Sequence, residues 1–310
     1  MRGHSLRWFS RLKPRVDGLV GIETSPQGIA LAHVVRPAGG AELRRCVYRE
    51  CAPERQADTL RALVAEFGLK GAAVNLLLHP SLYRIFLLEA PAVAPDELRD
   101  AMRWRVKDMI SEPLDEVIVD SFPLPEDAYR GRARMAYCAV LTKTAMQAFE
   151  ALVEGAGLDL ASIDITEMAM RNLALEAVAR EHGGNLAWLR LRSSEGLVGV
   201  QCGADLYMAR RIEQGLAGAD QHFDSMALEI QRSLDYFESQ LGKGHVSRLL
   251  LLPMKQDGDA TAAALARGLA APLQRLMLAD LFPGQAAAEL SEPDQARCLG
   301  AVGAALREEA

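Results

Sequence analysis

Side chains able to do chemistry are spread thinly along this chain. Its five cysteines (Cys46, Cys51, Cys138, Cys202 and Cys298) are odd in number and form no CxxC pair, and its six histidines show no metal-ligand spacing. No Ser-His-Asp, Cys-His or paired-carboxylate constellation assembles from local motifs, and Asp164 with Glu167, like Asp115 with Glu116, reads as cap or turn chemistry. What stands out occurs twice. Gly21-Ile22-Glu23-Thr24-Ser25 closes one strand-like run with a carboxylate and two hydroxyls. Leu189-Arg190-Leu191-Arg192-Ser193-Ser194 closes another with two guanidinium groups, two hydroxyls and no carboxylate.

The elements that carry these runs repeat as well. Residues 18–49 and 186–212 each read as a three-stranded β-meander, the first with Ser25-Pro26-Gln27 as its turn. An amphipathic helix follows at about 53–67, with Leu60, Leu63, Val64 and Phe67 on one face. Strands are expected at 72–79, 83–89, 116–122 and 134–141. Between them, a helix from Pro95 to Ser111 carries Leu98, Met102, Val106 and Met109 inward. Helices at 143–155 and 166–182 lead to Gly183-Gly184, a candidate hinge. The second half has a long helix at 222–241 with a continuous apolar stripe, a buried strand at 248–252 and an Ala-rich helix at 259–271. A final helix is capped by Ser291-x-x-Asp294.

With 310 residues, two lobes are expected, and no apolar run approaches the ~18 residues of a membrane-spanning helix. The scattered cysteines fit a reducing cytosol rather than a disulfide framework. Net charge is −6, but residues 1–16 hold five Lys/Arg and no acid, leaving −11 on the remainder. An acidic body argues against nucleic acid, whose phosphates demand a basic surface. In the basic start, Arg7, Trp8, Phe9 and Arg11 could lie on anionic lipid and give peripheral membrane association. The plainer reading is a solvated tail.

The duplicated plan resembles the actin/Hsp70-like ATPase superfamily, in which the first hairpin turn of each half grips ATP phosphates. Within it, three segments are similar to PilM-type pilus assembly proteins: ELRDAMRWRVKDMISEPLDEVIVDSFPLP (97–125), YCAVLTKTAMQAFEALVEGAGLDLASIDITEMAMRNL (137–173) and EIQRSLDYFESQ (229–240). They cover about a quarter of the chain, and the order of elements fits nearly all of it. The degraded loops and basic aromatic start resemble most the MshI branch, of mannose-sensitive haemagglutinin pilus systems. The resemblance implies an α/β fold of two actin-like (ribonuclease H-like) lobes, with a small α+β domain of the kind shared by FtsA and PilM inserted in the first. The expected divisions are a tail at 1–16, the first lobe at 17–71, the inserted module at 72–158, a closing helix and hinge at 159–184, and the second lobe at 185–310.

By the same resemblance, the family's Asp-x-Gly aligns its Asp with Gly21 and its Gly with Glu23. A carboxylate must hold Mg²⁺ or its waters, and Gly lets backbone N–H groups approach phosphate. Glu23 in a shifted register, with Thr24 and Ser25 as phosphate donors, could restore part of this, but an unscreened Glu repels a triphosphate by roughly 1 kcal/mol or more. The second loop has no Asp-x-Gly. Where the family has a Gly-Gly turn for adenosine, this chain has Pro253-Met254-Lys255, which offers no N–H at Pro and crowds the base. Glu229 and Arg232 lie on the helix that faces adenosine in relatives, or form a salt bridge between the lobes. No cofactor is therefore expected, with Mg-ATP as the alternative, and no catalysis.

The resemblance implies a cytoplasmic scaffold beneath the inner membrane. It would bind the cytoplasmic tail of a PilN-like bitopic protein between the first lobe and the inserted module, and could also meet a pilus motor ATPase. Arg84, Arg103 and Trp104 are the candidate contacts, Trp and Arg being favoured interface anchors. Trp104 lies off the core stripe of its helix, although it could equally pack within its own module. The rival expectation is a nucleotide-binding switch of a pilus or type II secretion platform.

Overall fold

A computed structural model describes residues 16–129, 134–178, 184–217 and 222–308. The chain begins with strands β1 (Leu19–Ser25), β2 (Gly28–Val35) and β3 (Glu42–Glu50), helix α1 (Gln56–Phe67) and strand β4 (Ala73–Leu77). There follow β5 (Tyr83–Glu89), α2 (Leu98–Arg105), β6 (Val117–Pro123) and β7 (Met135–Thr142), then α3 (Lys143–Gly155), β8 (Asp159–Asp164) and α4 (Thr166–Val178). The second half runs β9 (Asn185–Leu191), β10 (Gly196–Cys202), β11 (Asp205–Ile212), α5 (Phe223–Tyr236), β12 (Val246–Leu251), α6 (Gly258–Ala266) and β13 (Leu273–Arg275). Short helices α7 (Leu278–Leu281) and α8 (Gln285–Ala288) precede α9 (Glu292–Ala305).

The duplication is explicit in the sheets. One has the order β3-β2-β1-β4-β8 and the other β11-β10-β9-β12-β13, each an antiparallel meander extended by two parallel strands. A parallel strand covered on both faces is apolar throughout. Val74, Asn75, Leu76 and Leu77 of β4 are all fully buried. On the outer face of the first sheet, α1 and α3 contribute Leu60, Leu63, Val64 and Val153 to one core. The second sheet packs its outer face on α5, which carries Met226, Ile230 and Leu234, and on α6. Helix α5 runs on through a π-helical turn, Phe237–Leu241, and stops at Gly242, which takes the left-handed conformation that a Cβ would disfavour.

Between the two sheets lie α4, against β9 and β10, and α9, against β1, β2 and β4; the two helices also pack on each other. The last helix of the chain thus closes the first lobe, and the expected second lobe at 185–310 loses residues 292–305 by their packing. Its N-terminus is set by Ser291, whose hydroxyl accepts from the Asp294 N–H at 3.3 Å. The expected module also shrinks. Strand β4 pairs with β1, and α3 buries Val153 in the first-lobe core, so only the sheet β5-β7-β6 with α2 stands apart. The 72–158 boundaries therefore move inward at both ends, because the apolar run at 73–77 is a central strand and not a module strand.

Close approach of α9 to β1 depends on glycine. A Cβ on Gly21 would stand 1.9 Å from the Ala301 carbonyl oxygen and 2.6 Å from the Ala305 nitrogen. Gly21→Ala should therefore lower unfolding free energy by about 1–3 kcal/mol, the cost of overpacking a close-packed interior. Urea denaturation measures this, and an unchanged midpoint would show that α9 is free to shift.

Candidate functional site

Strands β1 and β9 bring the two unusual runs to opposite walls of one cleft of about 480 Å³ between the lobes. The first wall carries Glu23 and the Ser25-Pro26-Gln27 turn; the second carries Arg190, Arg192 and the Ser193-Ser194-Glu195 turn. Lys255 and Arg297 face the same space, Arg297 lying over the Tyr48 ring at 5.4 Å.

Glu23 does not lie open to a ligand. Arg192 donates to its Oε1 at 2.9 Å, and Arg190 donates to Oε1 and Oε2 at 3.4 and 3.5 Å. Burial alone would push the Glu23 carboxyl up, but the Arg190 and Arg192 charges outweigh it and hold the group below its ordinary value. The Arg190 guanidinium is itself buried enough that its pKa falls to about 10, and its Nη1 has no partner among the described residues. The other arm of Arg192 meets His79 Nε2 at 2.8 Å. A guanidinium can only donate, so this nitrogen accepts, while Nδ1 stands 2.9 Å from Ser81 Oγ and 3.3 Å from the Ser81 backbone nitrogen. Burial and the Arg192 charge both depress the His79 pKa, which favours the neutral ring.

These contacts bear directly on a metal-bound nucleotide. Side chains at 21 and 23 point the same way along the strand. Gly21, where the carboxylate would be needed, is pressed against α9, and Gly300 of α9 lies over Glu23: a Cβ there would be 2.1 Å from Oε2. The one acidic side chain at the first loop is thus walled in and neutralised by arginine. No group of three or more His, Cys, Asp or Glu among the described residues could hold a metal. Pro253 also lines the cleft.

Of the other candidates, Ser25 lines the cleft but spends its hydroxyl on the Gly28 carbonyl at 3.3 Å, whereas Thr24 is buried and faces away from it. Glu229 and Arg232 are corrected on both readings: neither lines the cleft, neither bridges the lobes, and Arg232 is exposed on the outer side of α5. On the module, Arg84 pairs with Glu112, and Arg103 donates to the Leu114 carbonyl, so both are held within the module itself. Trp104 is 68% exposed with the Lys107 ammonium over its ring, and Met109, expected inward, is also exposed. Arg7, Trp8, Phe9 and Arg11 lie outside the described residues, as does Gly183. No helix among the described residues is long and apolar enough to cross a membrane.

A second buried network was not foreseen. Glu167, read from sequence as a cap, is buried on α4 and accepts from the Tyr83 hydroxyl at 2.5 Å, with Arg211 of the second lobe 4.0 Å away. Burial raises the Glu167 pKa. Strand β5, α4 and β11 meet there, so the module, first lobe and second lobe are tied at one point. Only the apolar setting of the residues flanking Glu167 in sequence could have signalled it.

No protein-family model and no curated protein sequence matches the chain. Among solved structures, it is similar to a chain of a PilM–PilN type IV pilus biogenesis complex, with a TM-score of 0.70 at 18% identity over 95% of this chain and 100% of that one. A Bacteroides thetaiotaomicron protein with an actin-like ATPase fold and unknown function matches with a TM-score of 0.50, 10% identity and coverage of 84% and 91%. The cytoplasmic domain of EpsL, an inner-membrane component of the Vibrio cholerae type II secretion system, gives 0.46 at 14% identity over 76% and 82%. The chain has the actin-like fold.

The lowered Glu23 pKa has a definite pH signature. The ion pair contributes fully above the ordinary carboxylate range and loses its contribution as pH falls through the lower, folded-state value. Glu23→Gln should cost about 3–5 kcal/mol near neutrality, because two arginines lose their counter-charge. It should also flatten the acid limb of stability against pH. Urea titrations at neutral and acid pH measure both, and an unaltered acid limb would assign that limb to other carboxylates.

Proposed function

We propose that this protein is a scaffold of a type IV pilus assembly machine whose lobes are bridged, across the cleft, by its own side chains. The observation that carries the reading is the Glu23 ion pair with Arg190 and Arg192. It joins the lobes at the place where a metal and phosphates would otherwise join them. Support comes from the likeness, over the whole length, to a chain of a PilM–PilN complex. The partner in this reading is a PilN-like protein presenting a short tail at the cytoplasmic face of the inner membrane, with a pilus motor ATPase as a further neighbour. The altered loop pattern is what supports a likeness to the MshI-type members in this reading.

The tail would meet the inserted module, where Trp104 offers the largest exposed aromatic surface among the described residues. Arg84 and Arg103 take a different role from the one expected of them: they hold the 110–116 turn against β5 and α2, so that Trp104 is presented from a rigid support. Extended tails add main-chain hydrogen bonds at a free strand edge, and β5 is an edge strand of its sheet.

Two titrations test the reading. Mg-ATP at a large excess should give no binding heat and leave thermal stability unchanged, whereas a ligand at ~100 times its Kd would add about 2.7 kcal/mol. Measurable one-to-one binding of Mg-ATP would favour the nucleotide-switch alternative instead. A peptide of the PilN-like partner's cytoplasmic tail should bind, and Trp104→Ala should weaken it roughly 30-fold, the effect of a ~2 kcal/mol anchor, with the unfolding midpoint unchanged. Equal affinity of the variant would move the tail site off α2.

A further inference from the structure

The packing of the last helix on the first sheet brings two thiols together. Side chains alternate between the faces of a strand, so Cys46 and Tyr48 of β3 point the same way, into the core that α9 shares. The Tyr48 ring lies 5.4 Å beneath the Arg297 guanidinium of α9. Cys298, the next residue of that helix, meets Cys46, and the two thiols share a hydrogen bond. Ala30, Ala32 and Ala301 line the same core, and side chains this small let helix and sheet come close. Cys298 is fully buried and Cys46 is half-buried, so Cys46 is the one that a reagent in solution reaches. Cys51, Cys138 and Cys202 sit in other cores: the outer face of the first sheet, the module and the second lobe.

We propose that Cys46 and Cys298 form a paired-thiol modification site, at which a peroxide closes a disulfide that staples α9 to β3. In the first step the Cys46 sulfur attacks one peroxide oxygen. An S–O bond forms, the O–O bond breaks, and the departing hydroxide leaves as water with the thiol proton. The sulfur is now a sulfenic acid, oxidised by two electrons, and the peroxide is reduced. The Cys298 sulfur then attacks it: the S–S bond forms, the S–O bond breaks, and the second hydroxide leaves as water with the Cys298 proton. Two thiols and one hydrogen peroxide thus give one disulfide and two waters. The hydrogen bond to Cys46, and then burial, raise the Cys298 thiol above its ordinary value. Since thiolate is the attacking form, closure is slow near neutrality and quickens as pH rises. A thiol of this kind is also a poor leaving group, so the bond, once made, resists exchange with glutathione. The site answers sustained oxidation rather than brief fluctuation.

Hydrogen peroxide added to the full chain, followed by peptide mass mapping without reduction, tests the proposal. A cross-linked Cys46–Cys298 peptide is expected, with the chain lighter by two hydrogen atoms and the yield rising from neutral to mildly alkaline pH. Dithiothreitol should reverse it. The bridge closes a loop spanning most of the chain, so the urea midpoint of the oxidised form should shift upward. Cys46→Ser and Cys298→Ala should each abolish the cross-link and the shift, and Cys51→Ser should leave both. Oxidation that stops at Cys46, a bridge to Cys51, Cys138 or Cys202 or between two chains, or an oxidised form no more stable than the reduced one would overturn the proposal. Any of these outcomes leaves the scaffold reading standing, since that reading falls on the separate Mg-ATP and tail-peptide titrations.

Discussion

A carboxylate buried at the end of β1 must be neutralised where it stands, and in this protein the neutralising charges come from the other lobe. Taking Glu23, Arg190 and part of Arg192 out of water is costly, and their attraction offsets that cost only while the geometry is held. Separating the lobes would expose or strand all three groups. The pair therefore fixes the lobe angle as well as joining two residues.

The rest of the molecule is arranged around that closure. Helix α9 can lie against β1 only because Gly21 and Gly300 lack side chains, and the second of these leaves the space that Glu23 fills. Helices α4 and α9 then occupy the layer between the sheets, so one apolar core runs from Leu77 of the first lobe to Trp188 and Leu250 of the second. At the far side, Tyr83, Glu167 and Arg211 tie the module to both lobes, and the Tyr137 hydroxyl accepts from the Ala209 N–H at 2.9 Å. A hinge at Gly183-Gly184 would have to break several of these at once. Relative motion of the lobes is opposed by packing as well as by charge.

Much of this was legible in sequence and some was not, for physical reasons. Paired meanders show through strand alternation and turn chemistry, which are local; hence β1–β3 and β9–β11 fall close to their expected ranges. The Ser291 cap and the stop at Gly242 are local too. The loss of the loop carboxylates could be read directly, but their replacement could not. Glu23 reaches Arg190 across a separation of 167 residues, and nothing in either segment names the other. For the same reason β4 was assigned to the module: its continuous apolar run identifies a strand, while its partner is fixed only by tertiary pairing. Glu229 and Arg232 failed because a helix argument gives their mutual spacing and not the direction their face takes toward the cleft.

In the reading proposed above, a partner would meet a surface that does not depend on relative motion of the lobes. The three-stranded module supplies one: its helix covers a single apolar face with Met102 and Val106, leaving the opposite side of the helix to water. Trp104 stands on that exposed side, where an indole held by a short helix loses little entropy on binding. The Arg84–Glu112 pair and the Arg103 bond to Leu114 brace the segment beneath it. In the scaffold reading proposed above, binding energy would go to holding a partner and none to a conformational cycle.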